Sequence, residues 1–212
     1  MTTIHDQSVV ILGEMNPAIH HPAWYKLESI IDETEYRACL SNPVIVNQQI
    51  AQFTSHGFSV MCLQDRWQAS CNADDASRIL SLTKETFKKL YHTPVSAYGV
   101  NHHFHIEITR QVAPVLAAIV RKTGMPFPPN EDADASISYA AKVDGYEFKT
   151  IISTSARGPE FLHFHNNAHF TIPQLKSEHF DLGPLIDEAF LRNEDRSRMM
   201  LSKLVDAIKG FK

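Results

Sequence analysis

Two stretches of the chain alternate between apolar and polar residues over long runs. In residues 95–108 the apolar side chains occupy every second position, and residues 161–172 follow the same pattern. Alternation with period two is the spacing of a β-strand that has one face on a core. We therefore predict two long strands, with these side chains packed against helices: Val100, Phe104, Ile106, Phe164, Phe170 and Ile172.

Shorter runs, turn residues and helix caps predict the remaining elements. Asp144-Gly145 lies between two alternating runs, which favours a tight hairpin. The predicted strands cover residues 8–13, 58–64, 66–71, 95–108, 136–143, 146–153 and 161–172. Helices are predicted over residues 33–40, 43–56 and 111–122, from a cap at Asp74 or Asp75 to residue 91, and after residue 182, where the charged run 192–198 separates a short helix from a longer one.

The order of these elements predicts the fold class. Hairpins with tight turns pair their strands antiparallel, and the helices do not alternate strictly with the strands, so we expect an α+β fold. It would have a largely antiparallel sheet of about seven strands with helices packed on one face. A length of 212 residues suits one domain over 1–212, and the proline-rich and acidic loop 125–135 is the candidate for an internal boundary.

A short internal echo raises the question of two related halves. Residues 101–106 and 167–172 match at four of six positions. The echo marks two weakly related halves, reflects a chemistry that two strands share, or arises by chance over six positions.

Composition excludes several classes of function. The net charge is −4, from 20 basic and 24 acidic residues, whereas general nucleic-acid binders present a basic face. The chain has no phosphate-binding loop, dinucleotide fingerprint, hydrolase elbow or HExxH motif. Its apolar stretches are too short to span a bilayer. An odd number of cysteines, Cys39, Cys62 and Cys71, favours a reducing, cytoplasmic environment.

The polar sides of the two long strands carry the candidate site. The chain has 12 histidines, and six of them lie in these two strands. If the strands are neighbours, the face turned away from the helices carries a crowded set of side chains: Asn101, His103, His105, Glu107, His163, His165, Asn167 and His169.

Two functional interpretations of this face remain open. The first is a non-enzymatic, intracellular binding or assembly protein, which contacts a protein partner through the histidine-rich face or through its C-terminal helix and needs no cofactor. The apolar stripe of that helix and the open sheet edges also predict a homodimer. The second is a metal-dependent enzyme that binds Zn, Fe or Mn through His103, His105, His163 and His165, with Glu107 as a further ligand or base.

Overall fold

The strands form one antiparallel sheet that carries all the described helices on one face. The computed structural model describes residues 2–72, 76–108, 111–122, 135–172 and 181–209. Its strands are β1 (Thr3–Gly13), β2 (Ile45–Val46), β3 (Ile50–Thr54), β4 (Ser59–Leu63), β5 (Arg66–Asn72), β6 (Val95–Glu107), β7 (Ile137–Val143), β8 (Tyr146–Ser155) and β9 (Gly158–Thr171). Its helices are α1 (Pro22–Leu27), α2 (Glu33–Leu40), α3 (Ala76–Lys89), α4 (Val112–Lys122) and α5 (Gly183–Lys209). The predicted α+β class is confirmed, with nine strands in place of about seven.

The core lies between the sheet and the helices, on the face that the alternation predicted. Val100, Phe104, Ile106 and Phe164 are buried there. Phe170 and Ile172 are partly exposed but pack against the same core. One cluster joins the sheet to α1, α2, α3 and the start of α5, and a second lies under α4 and the rest of α5.

The strand order reveals two halves with the same topology. Across the sheet the order is β2-β3-β4-β5-β1-β6-β9-β8-β7. In each half the first strand pairs with the last, and helices follow the first and the last strand. Apart from the additional short strand β2 in the first half, and with α1 and α2 counted as one helical segment, this gives β-α-β-β-β-α twice. The first strands of the two halves, β1 and β6, are antiparallel neighbours at the centre of the sheet. This is the arrangement that a twofold axis perpendicular to the sheet would produce.

This arrangement shows that the internal echo does not relate one half of the chain to the other. Residues 101–106 lie in β6 and residues 167–172 begin in β9, so the two similar segments are neighbouring strands of one half. The echo therefore does not mark the two halves. By topology, β1 corresponds to β6 and β5 to β9. The chain passes from one half to the other at residues 90–94, and most of the proposed boundary, 125–135, lies outside the described residues.

The helix predicted over residues 43–56 is wrong. This segment forms β2 and β3, which pair as a hairpin. The side chain of Asn47 accepts hydrogen bonds from the backbone N–H groups of Gln49 (2.8 Å) and Ile50 (3.0 Å). An asparagine that bonds its own downstream backbone stabilises a turn at the expense of a helix. These two strands account for the difference between seven and nine.

The predicted break at residues 192–198 is also wrong, because α5 runs through it without interruption. The charged side chains pair along the outer face, where Arg192 bonds Glu188 (2.9 Å) and Arg198 bonds Glu194 (2.7 Å). Asn193 and Ser197, in the same run, point inward and are fully buried. Among the described helices, including α5, none is both long enough and apolar enough to cross a membrane.

Buried amides attach α5 to the sheet. Asn166 of β9 donates to Asn193 Oδ1 (2.8 Å) and Ser197 Oγ (2.9 Å), and it accepts from Thr150 Oγ1 (2.8 Å). Asn193 in turn donates to the backbone carbonyl of Val100 on β6 (2.8 Å). Since every member has a partner, this network orients the helix without leaving an orphaned polar group.

Replacing Phe104 by alanine tests which face of β6 is the core. Phe104→Ala should lower the free energy of unfolding by about 2–5 kcal/mol, because it removes a large buried side chain. Phe161→Ala is the matched control, since Phe161 is partly exposed on the opposite face of the sheet and should cost clearly less. Urea unfolding of both variants gives the comparison, and equal losses would contradict the assignment of the faces.

Candidate functional site

The register of β6 against β9 brings the predicted site residues together. His103 lies opposite His165, His105 opposite His163, and Asn101 opposite Asn167. All the described helices pack on the other side of the sheet. We call the surface around these pairs the histidine face, and the four residues His103, His105, His163 and His165 the histidine column.

The rings of the histidine column are stacked in parallel. His103 and His165 have ring centroids 4.1 Å apart at an interplanar angle of 7°, and His105 and His163 have centroids 4.8 Å apart at 10°. A hydrogen bond of 3.1 Å between His103 Nδ1 and His163 Nε2 joins the two pairs. One of these nitrogens must donate while the other accepts, so the contact is satisfied by neutral rings.

Amides hold the His165 end of the column. Asn101 Oδ1 accepts from His165 Nε2 (3.0 Å) and from Asn167 Nδ2 (2.6 Å), so His165 carries its proton on Nε2. The amide nitrogen of Asn101 donates to Ser8 Oγ on β1 (3.2 Å). Asn101 and Ser8 are both buried, so the side chain that anchors His165 is itself packed and hydrogen-bonded.

A turn closes over the His105 end of the column. His105 contacts Ser155 Oγ through Nδ1 (2.7 Å) and Asp6 Oδ2 through Nε2 (3.5 Å). The contact with Ser155 is a short hydrogen bond, whereas the longer contact with Asp6 is an electrostatic one. Arg157 completes the clamp, because its side chain donates to Asp6 (2.7 Å) and its backbone N–H donates to Ser155 Oγ (3.0 Å).

Ser155, His105 and Asp6 contact one another in the sequence of a serine–histidine–aspartate catalytic triad. Their surroundings differ from those of a catalytic triad. Ser155 is buried, and its oxygen already accepts from the N–H of its own turn. The carboxylate of Asp6 lies closer to Arg157 than to His105. A nucleophilic serine needs an accessible oxygen opposite donors that are free to bind an oxyanion. These contacts therefore describe a clamped turn.

Two of the predicted site residues lie outside the connected network. The exposed Glu107 makes no side-chain hydrogen bond or ion pair with the described residues. Within the part of the chain that the structure describes, the side chain of His169 bonds only Thr171 (3.3 Å), on its own strand. The sequence analysis in turn missed Ser8, Asp6 and Arg157, because their partners lie far away along the chain.

The column does not have the geometry of a metal centre. Among the described residues, no group of three or more His, Cys, Asp or Glu side chains is placed to hold a metal ion. Stacked rings keep their nitrogen lone pairs in separate parallel planes, whereas a metal needs them to converge on one point. The spacing of the strand residues predicted that the four histidines lie together, and they do. It did not predict the orientations of their rings.

Burial keeps the column uncharged. Burial first, and repulsion from neighbouring imidazoles second, lower the pKa of His103 to about 3 and that of His165 to about 4. The pKa values of His105 and His163 are also lowered, again first by burial, which outweighs the attraction of Asp6. At neutral pH the column is thus a set of polar, uncharged rings.

A second histidine pair lies on the core side of the sheet, on β1 and β6. His5 of β1 and His102 of β6 share a hydrogen bond of 3.0 Å, and His5 stacks on Phe104 with centroids 3.9 Å apart. Burial lowers the pKa of His5 to about 4 and that of His102 to about 3. The alternation correctly placed His102 among the core residues.

No protein-family model matches the chain, and no curated protein is similar to it. The function therefore has to be argued from the geometry of the histidine face.

The stability of the fold should fall as the pH is lowered from 6.5 towards 4. In this window the unfolded chain binds protons on its histidines, whereas the folded chain keeps His5, His102, His103 and His165 neutral. Each proton bound only by the unfolded state lowers the free energy of unfolding by up to about 1.4 kcal/mol per pH unit. Urea unfolding between neutral pH and about pH 5 measures this slope.

The variant His103→Gln/His165→Gln provides the control for this slope. It should show a shallower pH dependence, because two of the depressed groups are removed. If the variant and the wild type had the same slope, the histidine column would not be held neutral as described.

Proposed function

We propose that this chain is a non-enzymatic binding protein that docks a protein partner on its histidine face. The observation that carries the proposal is a polar surface whose side chains are already held in place, on the side of the sheet that the described helices leave open. The proposal needs no cofactor.

Preorganisation favours recognition over a merely solvated surface. Stacking and hydrogen bonds have removed most of the side-chain freedom of His103, His163 and His165. A partner that binds such a surface orders few side chains, and this lowers the entropic cost of association. Neutral imidazoles and amides present both donors and acceptors, which suits the wet, polar contacts of a protein interface.

The C-terminal helix is a poorer contact surface than its apolar stripe suggested. The residues of the stripe pack against the protein's own second core cluster: Leu201, Leu204, Val205 and Ile208. Met200 packs there too, while Met199 is about half exposed. The histidine face is therefore the surface that we assign to the partner.

Cysteine chemistry supports the location that we propose, the cytoplasm. Cys39, Cys62 and Cys71 are all buried. Burial raises the pKa of Cys62 to about 12, and that of Cys39 is also raised by burial. Thiols of this kind are inert packing groups, as is usual in proteins of reducing compartments. We also propose that the protein is a homodimer, since open sheet edges need cover.

Removing two rings from the column tests the binding function. His103→Gln/His165→Gln should fold like the wild type, because both residues lie away from the core, but should lose its partner. The control His56→Gln/His92→Gln changes the same residue types at exposed positions elsewhere. Quantitative mass spectrometry after cross-linking in cells compares the proteins retained by each form. Carbethoxylation of histidines should show His103 and His165 protected in the complex.

Two results would contradict the binding function. One is that the column variant retains every partner that the wild type retains. The other is that the reactivity of His103 and His165 is the same with and without the partner.

Titration with Zn²⁺, Fe²⁺ and Mn²⁺ tests the metal-dependent alternative. A metal that binds only the folded chain raises the melting temperature by mass action. We expect the wild type and the column variant to melt alike with and without each ion, since the parallel rings do not converge. A stabilisation seen in the wild type and lost in His103→Gln/His165→Gln would favour the enzyme interpretation instead.

A further inference from the structure

One edge of β7 carries backbone groups that have no partner among the described residues. β7 is the last strand of the sheet and pairs only with β8. Asp144 and Gly145, both at positive φ, form the two-residue turn between them. In such a hairpin the flanking Val143 and Tyr146 exchange both hydrogen bonds, and pairs alternate from there along the strands.

This alternation identifies the outward-facing residues of β7. Val143, Ala141, Tyr139 and Ile137 bond to β8, so the N–H and C=O groups of Ser138, Ala140 and Lys142 point away from the sheet. No backbone group within residues 2–72, 76–108, 111–122, 135–172 and 181–209 pairs with this edge. Two large apolar side chains beside it, Tyr139 and Val143, are 40% and 43% exposed.

The other half of the molecule covers the equivalent edge. β3 corresponds to β7 by topology, and β2 pairs with it through Ile45 opposite Gln52 and Val46 opposite Ala51. β7 has no such covering strand among the described residues. Nor does its pairing with β8 contain a bulge, and the strand contains no proline. Among the devices that usually prevent an edge from pairing, a bulge, a proline and a covering strand are therefore missing from the described part of this side, and a single charged residue, Lys142, remains.

We propose that a second copy of this chain pairs with β7, antiparallel and centred on Ala140, to form a twofold dimer with one continuous sheet. This inference deepens the homodimer proposed above and is independent of the histidine face. In this register the outward groups of Ser138, Ala140 and Lys142 meet those of Lys142, Ala140 and Ser138 in the other copy.

The side chains are self-complementary in the same register. Lys142 faces Ser138 of the other copy, so no like charges lie opposite each other. On the helix side, Tyr139 faces Ala141 of the other copy and Ile137 faces Val143. The exposed apolar surface of Tyr139 and Val143 is thereby covered. A twofold axis requires a patch to match itself in this way.

Replacing Ala140 by proline tests the edge. Proline removes an N–H that points outward and is tolerated on edge strands, so the β7–β8 hairpin should remain. Light scattering and sedimentation from micromolar to millimolar concentration should show a wild-type dimer and a monomeric Ala140→Pro with an unchanged far-ultraviolet spectrum. A wild type that stays monomeric throughout would overturn self-association itself. A dimer that persists in a folded Ala140→Pro would overturn the edge only.

Two charge variants at Ser138 test the register. Ser138→Glu places a carboxylate opposite Lys142 of the other copy, whereas Ser138→Lys places like charges there. Symmetry supplies each pair twice, so the dimer dissociation constant should fall for glutamate and rise for lysine by roughly 2- to 30-fold. If the two variants dissociated alike, the register centred on Ala140 would be wrong. Loss of partner binding in the histidine column variant would leave both results unchanged.

Discussion

The pairing of β1 with β6 is the interaction on which the rest of the structure depends. It runs from Thr3 opposite Ile106 to Gly13 opposite Val95 and joins two halves of the same topology. Without it, each half would end in a central strand with an unpaired edge. It also assembles both histidine clusters, since β1 supplies Asp6 and Ser8 to one face of the sheet and His5 to the other.

Buried polar side chains lie where β1 pairs with β6, and they specify the register of these two strands. Gln7 lies opposite His102 on the core side, and Ser8 lies opposite Asn101 on the open side, with all four buried. A slip of β6 by one residue would turn His103 into the core and Phe104 out to solvent, because side chains alternate between faces. Buried polar pairs of this kind tolerate few alternative alignments.

The sequence predicted those features that depend on local spacing. Period two identified the strands, their two faces and the position of His102 in the core, and Asp144-Gly145 identified the hairpin. The sequence-based prediction was wrong at residues 43–56, where the side chain of Asn47 hydrogen-bonds the backbone of a turn in place of a helix. It was also wrong at residues 192–198, where buried polar residues such as Asn193 alternate with exposed charged ones within one continuous helix. The contact of Arg157 with Asp6 joins residues 151 positions apart, and the orientation of each imidazole follows from contacts that spacing does not encode.

The open edge and the histidine face belong to one sheet, so pairing through β7 has a consequence for binding. The column lies between β6 and β9, three strand spacings from the proposed twofold axis. The column is also centred three residues along the strands from the level of Ala140. With strands about 4.8 Å apart and a rise of about 3.3 Å per residue, the two columns of a dimer would lie roughly 35 Å apart on the same side of one continuous sheet. A partner with two equivalent sites at that distance could bind both columns at once, and its second contact would be intramolecular. Avidity of this kind strengthens binding without any new contact, and it would let a small, uncharged recognition surface hold a partner that a single column binds only weakly.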